Sequence, residues 1–269
     1  MLEIEKVGEV TRVVMSTAIT RAVGYTASAF LTRGILIDLG FPAVWSELER
    51  WIDVIRPAGA ILTHHHEDHA GNAEPAARRS LPLGAAPATF ALLRESAPIE
   101  LHRRIIWGAP RRLESPVTPL ESRELTLIAT PGHTPDHHVV WDPARETLFA
   151  GDLFLGVKVR SLHRHEDPRL TARSVRAAAA LSPRLMFDSH RGLVRNPVAL
   201  LLAKADWIDS TVDAIERCLA AGWSARATTR AVLGREDPVF YLSNAAMSKV
   251  NFVRAVETAR VQEAGFRGQ

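Results

Sequence analysis

Residues 63–71 read Thr63-His64-His65-His66-Glu67-Asp68-His69-Ala70-Gly71, directly after the apolar run Ala58-Gly59-Ala60-Ile61-Leu62. Four histidines and two acids fall within residues 63–69 of a chain that has eleven histidines in all, a concentration that random composition would rarely produce. A short apolar strand ending in such a loop matches the place where open α/β sheets bind ligands, outside the carboxyl ends of their strands. Neutral imidazole and carboxylate are the usual protein ligands of zinc, and catalytic sites combine a few of them while leaving a position for water. Side-chain alternation lets His64 and His66 point the same way, while Asp68 and His69 turn toward a neighbouring position once the strand ends. A loop of the form H-x-H-x-D-H can therefore serve two metals.

Upstream of this loop, "VTRVVMST", "ASAFLT" and "GILIDLGF" are β-rich runs separated by Gly and polar turns, a meander of strands. Residues 42–56 place Val44, Trp45, Leu48, Trp51, Ile52 and Ile55 near helical spacing, with Pro42 suited to a first turn. Downstream, residues 87–96 read as helix and 98–120 as a Pro- and Arg-rich loop. Strand signals return in "ELTLIAT", "HHVVW", "ETLFA" and "RLMFDSH". Three potential ligands follow such strands: His133 after a Pro-Gly turn, Asp152 after Gly151, and His190 after "MFDS". From Pro197 onward the pattern is helical, over 198–221, 224–233 and 244–263. The expected organisation is a metal-binding domain over 1–196 and a helical cap or extension over 197–269.

The chain has 269 residues, 46% of them hydrophobic, enough to bury a large core. No stretch reaches the roughly 18 apolar residues of a membrane span, and the first ten residues lack the pattern of a secretory signal. A soluble, cytoplasmic protein is the expectation. The single cysteine, Cys218, excludes an intramolecular disulfide framework and reads as a helix-face packing residue. Net charge is +3, but only four of the 33 basic residues are lysine, so the Arg pairs 78–79, 103–104 and 111–112 read as solvated surface.

In order, Asp38, H-x-H-x-D-H at 64–69, the Gly-His turn at His133, the Gly-Asp turn at Asp152 and the late His190 resemble the five motifs of the metallo-β-lactamase superfamily, over residues 25 to 192. The metal motif is similar to that of glyoxalase II and lactonase branches, and the tail resembles the helical tail of poorly characterised members. The resemblance implies an α/β fold, the αββα sandwich, with a C-terminal helical extension and two zinc ions at a sheet edge; iron or manganese in one or both sites is the alternative. It implies that His64, His66 and His133 hold the first metal, that Asp68, His69 and His190 hold the second, and that Asp152 bridges both. His65 and Glu67 then serve as spacers facing elsewhere, and Asp38 supports the ligand loop.

The expected activity is metal-dependent hydrolysis of a small ester, thioester or lactone by a hydroxide held between the metals, with weak β-lactamase activity as a side reaction. Asp68 and Asp152 are the catalytic carboxylates of that reading. Lys158 and Arg160, six and eight residues past Asp152, suit a substrate carboxylate. Of His137 and His138 at a strand start, one is expected to be buried and hydrogen-bonded. Two other activities of the superfamily stay open: a mononuclear-iron persulfide dioxygenase and a phosphodiesterase or ribonuclease. The 37 residues between Asp152 and His190 leave no room for the large inserted domain of the nucleic-acid-cleaving branch, and aromatic-basic interleaving is missing. The expected partner is a small-molecule substrate, without nucleic acid or membrane, and a homodimer stays open.

Overall fold

Alternation along the strands sends neighbouring apolar residues to opposite sheet faces, and the architecture follows from that division. The computed structural model describes residues 1–95 and 99–267, with side chains described to residue 260. These form two compact units: Met1–Ala129, Asp136–Leu155 and Pro183–Pro197 in the first, and Thr130–Pro135, Gly156–Ser182 and the chain from Val198 in the second.

The strands in chain order are β1 (Leu2–Val7), β2 (Val10–Met15), β3 (Ala27–Thr32), β4 (Ile35–Ile37), β5 (Gly59–Ile61), β6 (Leu83–Gly84), β7 (Thr126–Ala129), β8 (His138–Asp142), β9 (Thr147–Phe149), β10 (Leu162–His163), β11 (Leu185–Asp188), β12 (Gly192–Val194) and β13 (Met247–Ser248). In the first unit, β1 to β6 form one sheet in sequence order, and a second sheet runs β12-β11-β9-β8-β7. Parallel pairings join β4 to β5 in the first sheet and β9 to β11 in the second. The helices are α1 (Ala18–Ala22), α2 (Trp45–Ile55), α3 (Ala73–Arg78), α4 (Pro87–Arg94), α5 (Leu101–Trp107), α6 (Pro168–Ala180), α7 (Pro197–Ala220), α8 (Ala225–Val232), α9 (Pro238–Leu242) and α10 (Lys249–Arg267).

Phe30, Ile35, Ile37 and Ile61 of the first sheet meet Val140, Phe149 and Phe187 of the second in one buried cluster. Their strand neighbours Ala29, Leu36 and Ala60 face the other way and pack with Leu48 and Ile52 of α2, Ala73 and Ala76 of α3, and Trp107 of α5. Strands β3, β4 and β5 thus each serve two apolar layers, and a one-residue slip would exchange them. In the second unit, β10 pairs with β13, and Ile208, Val212 and Ile215 of α7 pack with Leu162, Phe252 and Val256. Among the described residues, no helix is long and apolar enough to cross a membrane.

The structure departs from the sequence expectation in three places. The stretch read as loop over 98–120 contains α5, a helix too short to show a period; tertiary contacts of Arg103 and Trp107 hold it. The run "GILIDLGF" is a strand only over Ile35–Ile37, because Asp38 turns to φ +62° and leaves the sheet. The last helix starts at Lys249, not 244, and α9 and β13 lie in the segment before it. There Glu236 accepts hydrogen bonds from Ser248 Oγ (2.7 Å) and from the backbone N–H groups of Lys249 (2.9 Å) and Val250 (3.0 Å), satisfying two of the orphan donors of the α10 N-terminus. Residue 96, the end of the helix read at 87–96, residue 98, the start of that loop, and the final residues 268–269 of the extension lie outside the described residues.

The rings of Phe30, Phe149 and Phe187 lie with centroids 5.3 to 5.5 Å apart at the inter-sheet core. Phe187→Ala should cost about 3–5 kcal/mol of stability through lost burial and the cavity left behind. Urea unfolding monitored by circular dichroism measures this; an unchanged midpoint would contradict the packing of these three rings.

Candidate metal centre

Parallel pairing sets the site's position. Ile37 lies opposite Ile61, so β4 and β5 release the chain at the same edge, delivering Asp38 from one and Thr63-His64 from the other. Phe149 lies opposite Phe187 in the same sense, so Asp152 and His190 also leave their strands together. Gly151 makes the second delivery feasible. Its φ of +51° is in the left-handed region, and a Cβ there would lie 2.8 Å from His137 Nε2, where the backbone N–H of Asp152 now donates a hydrogen bond at 3.1 Å.

Asp38 organises the ligand loop. Its buried carboxylate accepts hydrogen bonds from the Thr63 backbone N–H (2.8 Å) and the Thr63 hydroxyl (3.0 Å), and lies 2.8 Å from Nδ1 of His69. A carboxylate only accepts, so Nδ1 of His69 carries a proton, and the neutral ring presents its lone pair at Nε2. The one Thr63 hydroxyl proton goes to Asp38, so its oxygen acts as acceptor toward Nδ1 of His64, 3.1 Å away, and that ring too presents Nε2 as its lone-pair nitrogen. His190 is set by the backbone, with Nδ1 2.7 Å from the carbonyl oxygen of Thr26. Three rings are thereby oriented without any metal.

Those rings converge. Asp68, His69, Asp152 and His190 each offer a ligand atom, all within 4.8 Å of one another and all buried; His64, His66 and Asp152 do the same, so that Asp152 is common to both groups. Nε2 of His69 and Nε2 of His190 each lie 3.1 Å from Oδ1 of Asp152, at ion-pair distance, and among the described residues neither nitrogen completes a hydrogen bond of regular geometry. Buried nitrogens in that state are costly unless a cation meets them. The donor set, imidazole and carboxylate with one shared Asp, fits a dinuclear centre of divalent metals. In the metal-free protein, burial opposes the charged form of His190, but Asp152 and Asp68 outweigh it and raise the pKa to about 9. Burial likewise opposes and Asp152, Asp68 and Asp38 prevail at His69, which is raised well above its ordinary value. Burial would push Asp152 up, yet His69 and His190 hold it well below the carboxylate range.

The two residues read as spacers are also tied down. His65 pairs with Asp136, Nδ1 to Oδ1 at 2.8 Å. Glu67 is buried and takes a two-pronged ion pair from Arg103 of α5 at 2.5 and 2.6 Å. The Arg103 guanidinium is held charged, burial opposing and the Glu67 carboxylate prevailing. Arg103, expected on the solvated surface with Arg104, is instead drawn inward by the buried Glu67 carboxylate, and the pair fastens the backbone between His66 and Asp68. His137 is buried, its Nε2 accepting the Asp152 N–H, and His138 Nδ1 lies 2.8 Å from the carbonyl oxygen of Asp136. Tyr25 stacks on His190, centroids 4.3 Å apart, and is itself in contact with Trp107.

His133 belongs to the second unit, on the loop Thr130–Pro135, where its Nδ1 lies 3.2 Å from Glu166 Oε2. Lys158 and Arg160 are exposed in the same unit, and His163 stacks on His165 at 5.5 Å.

Residues 29–190 match the family model described as "Metallo-beta-lactamase superfamily". The chain is 26% identical over 159 residues to a "Beta-lactamase-like protein 2 homolog" of Caenorhabditis elegans, covering 53% of this chain and 52% of that protein. It is 28% identical over 144 residues to a "Hydroxyacylglutathione hydrolase" of Stenotrophomonas maltophilia (strain R551-3), covering 54% and 51% respectively. The chain therefore spans about half the length of these curated relatives. Among solved structures, the DIM-1 metallo-beta-lactamase superposes with a TM-score of 0.60 at 20% identity, over 78% of this chain and 97% of that one, a likeness of fold.

The His190 shift has a stability consequence whose sign is fixed. A pKa raised from 6.5 to about 9 contributes stability to the metal-free fold that is fully present below about pH 6.5 and is lost as pH rises through about 9. Chelator-treated protein should therefore unfold at lower urea at pH 9.5 than at pH 6.5, and His190→Ala should flatten that dependence. A profile identical in both proteins would refute the buried imidazolium.

Proposed function

The chain belongs to the metallo-β-lactamase superfamily, and from that membership we propose that it is a dinuclear zinc hydrolase of a small ester, thioester or lactone. The observation that carries the proposal is Asp152, whose buried carboxylate is shared between the Asp68-His69-His190 group and the His64-His66 pair. We assign His64, His66 and His133 to one metal, Asp68, His69 and His190 to the other, and Asp152 to both. His133 enters from its place in the order of motifs. Imidazole donors suit zinc and iron and the carboxylates admit manganese, so zinc is the metal proposed, with iron or manganese as the competing metals.

Two divalent cations held there would lower the pKa of a bound water toward neutrality and polarise a substrate carbonyl. The protein's own part is orientation and proton handling. Asp38 keeps the rings of His64 and His69 turned so that Nε2 faces the site, and the Thr26 carbonyl does so for His190. Asp68 Oδ2 lies 3.5 Å from His190 Nε2 and 3.7 Å from His69 Nε2, and we assign it to orient the attacking water and carry its proton to the leaving group. The residues over 1–196 then form the metal-binding domain, and the helical extension over 197–269 is read as a cap. A thioester is supported by the relative whose name specifies an acylated glutathione. Exposed cations at Lys158 and Arg160 suit a substrate that bears a carboxylate.

Metal analysis combined with turnover tests this reading. The purified protein should hold two zinc ions per chain and hydrolyse an acyl-glutathione thioester, an aryl ester or a lactone. Asp152→Asn should lose the paired stoichiometry and at least a hundredfold in rate, since a bridging negative charge is gone. One iron per chain with oxygen consumption on a persulfide would replace the hydrolase by a dioxygenase, and turnover confined to phosphodiesters would replace the substrate class. For selectivity, Lys158→Ala should raise KM roughly tenfold to a hundredfold for a carboxylate-bearing ester and leave a neutral ester of similar size unchanged. Equal effects on both substrates would remove Lys158 from the substrate site.

A further inference from the structure

His133 is set differently from the other proposed ligands. Thr63, Asp38 and a backbone carbonyl orient His64, His69 and His190 from within the first unit, whereas the loop that carries His133 is built against the start of α6. The Asp167 backbone N–H donates to the Gly132 carbonyl at 2.8 Å, and Ser174 Oγ donates to the Pro131 carbonyl at 2.6 Å. Gly132, at φ +136°, brings the loop so close that a Cβ would lie 2.4 Å from Thr171 Oγ1 and 2.5 Å from its backbone nitrogen. In this frame Glu166 lies with Oε2 3.2 Å from His133 Nδ1. Its other oxygen accepts the His163 backbone N–H at 2.8 Å, while the Glu166 N–H donates back to the His163 carbonyl at 3.3 Å. The carboxylate is thus fixed at one end by main chain and aimed at the imidazole with the other. Both side chains are close to buried, 8% and 11% exposed, so water competes little for the contact.

We infer that Glu166 is the positioning residue for His133: its carboxylate accepts the Nδ1 proton, selects that tautomer and leaves Nε2 as the metal-binding nitrogen. This rests on the reading of His133 as a ligand, and it gives residues 163–168, His-Arg-His-Glu-Asp-Pro, a role besides that of Asp167, whose side chain caps α6 by accepting the Arg169 and Leu170 N–H groups. Carboxylates in that relation to a ligand imidazole fix the ring's orientation and raise its basicity, and their loss typically costs tenfold to a hundredfold in metal affinity. A neutral imidazole without such a partner is free to carry its proton on Nε2, the wrong nitrogen for coordination.

Nitrogen-15 correlation spectra of the histidine rings in the full chain decide the point. In metal-free wild type, His133 should carry a proton on Nδ1, and added Zn2+ should shift Nε2 with the Nδ1 proton retained. Glu166→Ala should move the proton to Nε2 and weaken one zinc equivalent tenfold to a hundredfold in competition with a chromophoric chelator. Glu166→Gln has one acceptor oxygen for two donors and should lie between, and it serves if the alanine variant does not fold. A wild-type His133 protonated on Nε2, or variants with wild-type tautomer and zinc affinity, would overturn the inference. If Zn2+ leaves the His133 signals unmoved while His64 and His69 shift, the ligand reading fails, and the metal-free tautomer still judges Glu166 separately.

Discussion

The buried carboxylate of Asp38 is the constraint on which the first unit's chemistry depends. It sits in a left-handed backbone conformation that a non-glycine residue adopts at a cost, and that turn both ends β4 and aims the carboxylate under the loop after β5. Three hydrogen-bonding groups of that loop, the Thr63 N–H, the Thr63 hydroxyl and His69 Nδ1, converge on it. A single negative charge thereby decides the tautomers of two imidazoles, one directly and one through a hydroxyl. Replacing it with an apolar group would leave two rings free to turn and a threonine N–H unsatisfied in the core.

The same region stores an electrostatic imbalance. Asp38, Asp68 and Asp152 crowd around His69 and His190, and the imidazoles answer by holding protons well above their ordinary range. Protons and divalent metals are alternative solutions to one problem, the burial of converging carboxylates, and a metal must displace what the metal-free site holds. Glu67 would add a further charge to this crowd, and Arg103 takes it up. A helix with no sequence period therefore has a reason to exist: α5 brings Arg103 to Glu67 and Trp107 to the apolar layer beneath the sheet.

Glycine placement ties the sheets to the chemistry. Gly151 lets the chain pass close enough to His137 for the Asp152 backbone to hydrogen-bond with its ring, and Gly132 does the equivalent for the His133 loop against Thr171. In both motifs, Gly-Asp and Gly-His, the glycine serves an approach that any side chain would block, and the next residue is a proposed metal ligand. Membership in the metallo-β-lactamase superfamily sets the order of these loops, and the local packing explains why each loop needs its small residue.

By itself the sequence determined the elements whose signal is local. The helix read over 42–56 from apolar spacing is α-helical over Trp45–Ile55 after a 3-10 turn at Pro42–Val44, β3 coincides with "ASAFLT", and the stripe Ile208, Val212 and Ile215 is buried as its period implies. The histidines and aspartates that gather into buried groups able to hold a metal stood out in the sequence because ligand chemistry restricts residue type and because strand ends are where a sheet can present them. Tertiary structure alone decided the rest. The pairs Glu67–Arg103, His65–Asp136 and Glu166–His133 join residues 36, 71 and 33 positions apart, and no periodicity links such partners. The early end of β4 came from the backbone turn at Asp38, which "GILIDLGF" conceals because its apolar residues continue past the last sheet hydrogen bonds. Local pattern reports which face of an element is apolar; which charge finds which partner across the fold is a property of packing, where burial makes an unpaired group too costly to leave alone.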